Sequence, residues 1–237
     1  LTSMLPVNVR GMWIGTFHGL CNRFLRAHWK IAGLPPGFQI LDASDQVAAV
    51  KRVVKAMALD EERYPPKQAA YFISGSKEEG LRPHDIAPPD PHTAKLVEVY
   101  AAYEAQCQRE GVVDFGELML RCYELMRDND AVREHYRRRF AHVLVDEFQD
   151  TNKLQYKWLQ MFAPPELPKG VFAVGDDDQS IYAFRGAQVG NMADFEREYR
   201  VPQVIKLEQN YRSYAHILDA ANALIAHNTK RLGKNLR

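Results

Sequence analysis

The sequence predicts a mixed α/β fold, a parallel sheet with an inserted all-helical block, and three observations carry this. From residue 141 onward, short apolar runs alternate with amphipathic segments of helical spacing, the pattern of strands joined by helical crossovers. Residues from about 30 to 113 show helical spacing only, and they follow one short apolar run at 12–16. The chain has 237 residues, 46% apolar and 26% charged, which suits one large domain carrying a smaller one. Domains of 1–29 with 114–237, and of 30–113, follow. That composition excludes disorder and collagen-like fibres.

The elements follow in order. Gly11-Met12-Trp13-Ile14-Gly15-Thr16 suggests a buried strand over 12–16, with a helix from about Leu20 to Ala32. Pro35-Pro36-Gly37 stops it, and Ser44 and Asp45 offer an N-cap for a helix over Gln46–Leu59. Tyr64-Pro65-Pro66 breaks that helix, Lys67–Ser74 restarts one, and prolines punctuate the loop from Arg82 to Pro91. His92–Glu110 is helical and closes on Gly111, a usual C-terminal stop. Asp114 with Glu117 resembles a capping box for a helix over Phe115–Met126. A strand at Ala141–Val145, a helix at Lys153–Phe162, a strand at Val171–Val174, a helix at Ala193–Tyr199 and a strand at Gln203–Leu207 follow. A last helix spans Tyr214–His227.

Charge and cysteine content limit the function classes. With 31 basic and 30 acidic residues the net charge is +1, unlike a strongly basic nucleic-acid coat. The basic residues are unevenly placed, though, and a local basic groove is compatible with the near-neutral total: Leu1–Leu41 has no acid against Arg10, Arg23, Arg26 and Lys30. Cys21, Cys107 and Cys122 are too few and scattered for a disulfide framework or a zinc site, which favours a reducing compartment. No apolar run approaches the ~18 residues of a membrane helix, so no membrane partner is expected.

Four short stretches carry chemistry. Val143-Leu144-Val145 delivers Asp146 and Glu147 at the C-terminal end of a strand, where open α/β sheets place ligands. In a nucleotide triphosphatase such a first acid holds Mg²⁺, usually through water, and the second deprotonates the attacking water. A second strand end carries Gly175-Asp176-Asp177-Asp178-Gln179, whose glutamine amide can touch a γ-phosphate and a catalytic water together. Tyr182, Phe184 and Arg185 can stack on bases and hold backbone phosphate; base stacking contributes roughly 1–3 kcal/mol per base. Glu208-Gln209-Asn210-Tyr211-Arg212-Ser213 offers a tyrosine for an adenine face and an arginine for γ-phosphate charge. Each stretch alone also fits a structural role: an acidic strand end, a polar helix cap or core aromatics.

In this order the stretches resemble the UvrD/Rep/PcrA family of superfamily 1 DNA helicases, over nearly the whole chain. Gly15-Thr16-Phe17-His18-Gly19-Leu20 looks like the family's DNA-contacting motif Ib. Residues 145–152 look like motif II, 174–187 like motif III and 209–213 like motif IV. The resemblance implies a RecA-like parallel sheet with a helical insert, subdomain 1B, over 30–113. It implies ATP as substrate with Mg²⁺ on Asp146, Glu147 as catalytic base, Gln179 coupling γ-phosphate to DNA, Tyr211 on adenine and Arg212 as an arginine finger. Thr16, Phe17, His18, Tyr182, Phe184 and Arg185 would contact DNA. Single-stranded DNA, single-strand/duplex junctions, a second motor domain and DNA-repair proteins are the implied partners, in a bacterial, nucleoid-associated cytoplasmic setting.

Two departures stand out. Phe184 occupies a place where the family most often has Trp, so weaker base stacking is expected. A Gly-Lys-Thr/Ser phosphate loop is missing: the one Gly-Lys pair, Gly233-Lys234, continues with Asn235 and has Asn228 where a loop needs glycine. Without the phosphate-loop strand the sheet is expected to be incomplete. The chain is therefore expected to be a piece of a helicase, inactive on its own. A non-catalytic DNA- or protein-binding descendant of such a motor, or a helicase–nuclease subunit, stays as the alternative. Phe184→Ala in a full-length protein is expected to lower DNA-stimulated ATP turnover more than DNA-free turnover, in paired steady-state assays; equal loss in both would contradict stacking.

Overall fold

The computed structural model describes residues 11–167, 170–179 and 190–227. Among these the fold is mixed α/β, with two short parallel sheets and nine α-helices. The chain runs α1 (Phe17–Ala27), β1 (Gln39–Ile40), α2 (Ala43–Ala56), α3 (Pro66–Glu78), α4 (Pro91–Glu110), β2 (Val112–Val113) and α5 (Phe115–Asp128). It continues with α6 (Asp130–Arg139), β3 (His142–Val145), α7 (Lys153–Phe162), β4 (Gly170–Ala173), α8 (Gly190–Glu198) and α9 (Ala215–Ile225). No described helix is long and apolar enough to cross a membrane.

Side-chain pattern sorts these helices into separate apolar clusters. Phe24 and Leu25 of α1 pack with Leu120 and Met126 of α5, Tyr136 of α6 and Trp158 of α7. A second cluster joins α2, α3 and α4 through Val50, Val54, Ile73, Tyr100 and Tyr103. The block that holds this second cluster is not all-helical. Gln39 pairs with Val112 and Ile40 with Val113, in parallel, so its two ends lie side by side. Leu41 N–H donates to Val113 O at 2.8 Å, extending that pairing.

Several expected elements take different bounds. Helix α1 begins at Phe17 because the Thr16 side chain accepts from Gly19 N–H, and it ends at Ala27. Helix α2 is capped by Asp42, whose Oδ1 accepts from Asp45 N–H at 2.8 Å, rather than by Ser44 or Asp45. Helix α4 ends where expected, with Gly111 at φ 66°, which glycine adopts without strain. Helix α6 has no counterpart among the sequence expectations; Asn129 caps it through Val132 N–H.

Two expected strands are absent. Residues 12–16 and 203–207 pair with no strand among the described residues. A strand needs a neighbouring edge to satisfy its backbone, and apolar content alone does not supply one. The pair β3 and β4 is therefore open: Leu144 is 75% exposed and Phe172, its register partner, 56%.

A buried ionic network ties α3, α4 and α5 together. Lys77 is 2% exposed, and its Nζ lies 2.8 Å from Asp114 Oδ2 and 3.0 Å from Glu117 Oε2. Tyr103 OH donates to Asp114 at 2.9 Å. Arg82 reaches Glu104, Glu117 and Glu124, and Arg121 Nε donates to Glu117 Oε1 at 2.7 Å. The expected capping box is half present: Asp114 Oδ1 accepts from Glu117 N–H at 2.7 Å. The Glu117 side chain turns away from the cap because three cations hold it instead.

Burial alone pushes the Glu117 carboxyl up, but Lys77, Arg82 and Arg121 outweigh it and hold it well below the usual carboxylate range. Burial likewise pushes the Lys77 ammonium down, and Glu117 and Asp114 outweigh it and raise it. Glu117 therefore stabilises the fold above the unfolded carboxylate pKa of about 4.3, and that contribution is lost as pH falls further. Lys77→Met leaves buried carboxylates under-paired and is expected to cost about 3–5 kcal/mol by urea denaturation at pH 7. Glu98→Gln, in an exposed pair with Lys95, should cost less than about 1 kcal/mol.

Candidate functional site

The site begins where β3 and β4 end together. Val145 pairs with Ala173, Val174 N–H donates to Val145 O at 2.8 Å, and Phe148 N–H donates to Val174 O at 2.9 Å. Asp146-Glu147 and Gly175-Asp176 thus emerge side by side at the C-terminal edge of a parallel pair, as the sequence predicts.

Glu147 stands in the left-handed region, at φ 51° and ψ 44°. A residue with a side chain holds that conformation at a cost of about 1–2 kcal/mol, so its surroundings must impose it. Here a tight turn over Phe148–Asp150 does so. Asp150 N–H donates to Glu147 O at 3.0 Å, and Thr151 Oγ1 donates to Phe148 O at 2.7 Å. Asn191 of α8, itself buried, donates from Nδ2 to Thr151 O at 2.8 Å. Phe148 is buried in an apolar cluster with Val145, Tyr156 and Leu159, against Phe195 of α8.

The acids are held but open. Asp146 Oδ1 accepts from Glu147 N–H at 3.0 Å, and Asp146 is exposed. Glu147 Oε2 accepts from Gln149 Nε2 at 2.7 Å. Asp150 is pushed up by burial and by the charge of Glu147. On the second strand end, Gln179 N–H donates to Asp176 O at 3.0 Å and its Nε2 to Asp176 Oδ2 at 2.5 Å. The carboxylates of Asp176, Asp177 and Asp178 converge within 4.8 Å. With Asp146, Glu147 and Asp150, six carboxylates surround the strand ends. A hard divalent cation with oxygen ligands suits that donor set, and Asp146 has the exposure that a water-mediated ligand needs.

The structure therefore brings Asp146, Glu147 and Gln179 to one edge. Among the described residues no hydrogen bond or ion pair joins Tyr211 or Arg212 to that edge. Tyr211 is 92% exposed, and the Arg212 side chain makes no hydrogen bond or ion pair among the described residues. Asn210 Oδ1 accepts from Arg212 N–H at 2.9 Å and Ser213 N–H at 2.8 Å, a polar turn ahead of α9.

Thr16, Phe17 and His18 open α1. The Thr16 side chain is engaged in the cap, and Phe17 packs half-buried against Trp158 of α7 with ring centroids 6.1 Å apart. Phe17 also borders the cluster of Val145 and Phe148, so α1 touches the packing under the acids. His18 lies edge-on to Phe115, and burial pushes its imidazole below the usual histidine range. Tyr182, Phe184 and Arg185 lie outside the described residues.

Gln149 has no role in the sequence reading, yet it is the side chain that touches both strand ends. The one signal for it is its place two residues after Glu147, inside the acid-bearing turn.

Paired acids at one parallel strand end, a glutamine at the next and an aromatic-bearing helix packed beneath them thus form one candidate site on a mixed α/β domain. Residues 1–200 match the family described as UvrD/REP helicase N-terminal domain, and the chain belongs to that family. It is 53% identical over 227 residues to DNA helicase II of Salmonella typhimurium, and equally to DNA helicase II of Escherichia coli strain K12; in both, 95% of the chain is covered. It is 40% identical over 229 residues, 96% of the chain, to the ATP-dependent DNA helicase PcrA of Leuconostoc citreum. The chain spans 31% of the length of the first two relatives and 30% of the third.

Proposed function

We propose that this chain serves as the first motor domain of an ATP-driven helicase that moves 3′-to-5′ along single-stranded DNA in DNA repair and replication. In this reading residues 1–29 and 114–237 form a RecA-like layer, and 30–113 form the inserted subdomain. The separate apolar cluster of α2, α3 and α4 and the pairing of 39–40 with 112–113 support the insertion. The single observation that carries the function is the juxtaposition of Asp146-Glu147 with the Gly175–Gln179 turn at the ends of two paired strands.

Each residue has a chemical task there. Asp146 would hold Mg²⁺ through water, and Mg²⁺ would neutralise developing phosphate charge. Glu147 takes the proton of the attacking water, a contribution of about 10²–10⁴ in rate for a positioned general base. Gln179 donates and accepts at one amide and so senses both water and phosphate. Tyr211 and Arg212, exposed here, would meet the nucleotide when the cleft with a second motor domain closes.

Thr16, Phe17 and His18, with Tyr182, Phe184 and Arg185, would hold single-stranded DNA, including at junctions with duplex. Phe17, resting on the cluster under Val145, offers one route from that DNA to the acids. Residues 1–237 contain no phosphate loop, so by themselves they are proposed not to turn over ATP. A bacterial cytoplasmic setting and DNA-repair proteins as partners complete the reading, consistent with three free cysteines.

Glu147→Gln in the full-length protein tests this. DNA-stimulated ATP turnover should fall about 100-fold or more while affinity for single-stranded DNA changes less than about twofold. Turnover near wild type would remove the catalytic role and favour a purely binding function.

A further inference from the structure

Gln149 is 2% exposed, yet both ends of its amide are engaged, each at a different strand end. Nε2 donates to Glu147 Oε2 at 2.7 Å. Oε1 accepts from Asp176 N–H at 2.9 Å. The partners fix which end is which, because a carboxylate only accepts and a backbone N–H only donates. The Gln149 side chain is therefore held in a single orientation.

The neighbouring backbone leaves space for this amide and little else. A Cβ on Gly175 would lie 2.8 Å from Gln149 Oε1 and 3.2 Å from Met192 Sδ, so glycine is what lets the second strand end come this close. The turn that bears Gln149 is clamped by Phe148 in the apolar cluster and by Asn191 on Thr151. Glu147 itself is exposed on a strained backbone. A free glutamate side chain there would sample several rotamers, whereas a buried neutral amide restricts it without neutralising its charge.

From Asp176 the connection continues. Gln179 donates to Asp176 through both its backbone N–H and its side chain. A chain of hydrogen bonds thus runs from the Glu147 carboxylate through the Gln149 amide and Asp176 to Gln179.

We propose that Gln149 is a positioning residue that locks the Glu147 carboxylate to the Gly175–Gln179 turn, so that displacement of this turn on DNA binding moves the general base. This rests on the functional reading above. Gln149 acts through Glu147, the group its amide holds.

Two variants in the full-length protein separate the halves of this link. Gln149→Met keeps the length and removes both hydrogen bonds. Gln149→Glu keeps an acceptor for Asp176 N–H but sets a second carboxylate against Glu147. In both, KM for ATP should stay within about twofold while kcat falls about tenfold or more, since a small misplacement of a base acts on the chemical step. The ratio of DNA-stimulated to DNA-free turnover should fall toward one. By hydrogen exchange, the Asp176 amide should lose protection in Gln149→Met and keep it in Gln149→Glu, with the Val174 amide unchanged in both.

A residue that merely filled space would lower stability and leave the stimulation ratio intact, and that result would overturn the proposal. So would wild-type kcat in both variants. If the wild-type protein itself shows no DNA-stimulated turnover, the functional reading fails first. Unchanged protection of the Asp176 amide in Gln149→Met would then overturn the link independently.

Discussion

Three charged groups without solvent, Lys77, Asp114 and Glu117, set the terms for this fold. Each loses its hydration on burial, and that loss is offset only when every partner is in place. Lys77 comes from α3, Tyr103 and Glu104 from α4, Asp114 from the N-cap of α5, and Glu117, Arg121 and Glu124 from α5 itself, with Arg82 in the turn between α3 and α4. None of these elements can dock well without the others. Helix α5 then transmits the constraint, because its other side packs on α1 and α7. Helix α7 begins just beyond the turn that strains Glu147, and α1 begins at Thr16 and Phe17. The network is thus remote from the acids but fixes the helices on which they and the candidate DNA contacts are built.

The acid-bearing edge shows the opposite economy. Glu147 keeps an unfavourable backbone, and six carboxylates stand at two strand ends. Such features lower stability and persist where ligand chemistry uses them. The surrounding clamps hold this arrangement in one geometry: Phe148 in its cluster, Asn191 on Thr151 and the Gln149 amide.

Much of this was legible in the residues, for identifiable reasons. Helix α7 has the expected bounds because Asn152 caps it and Gln155 completes the capping box. Gly111 stops α4 because it alone accepts that φ without strain. The motifs placed Asp146, Glu147 and Gln179 on one edge, since parallel strands end on the same side. The failures are equally physical. Apolar runs at 12–16 and 203–207 report content, not partners, and a strand exists only with an edge to join. Glu117 looks like a local cap partner, and only tertiary packing reveals the three cations that take its carboxylate. Nothing in the sequence marks Lys77 as buried, and Gln149 is a polar residue whose two partners lie on different strands.

In the function proposed above, the nucleotide and DNA sites are energetically coupled through the packing of α1, α7 and the acid-bearing turn. The most direct test is the affinity of the full-length protein for single-stranded DNA, with and without a non-hydrolysable ATP analogue and Mg²⁺. Coupling of the usual size changes that affinity about fivefold or more, and by linkage DNA changes analogue affinity by the same factor. Equal DNA affinity in both conditions, with the analogue demonstrably bound, would contradict the account.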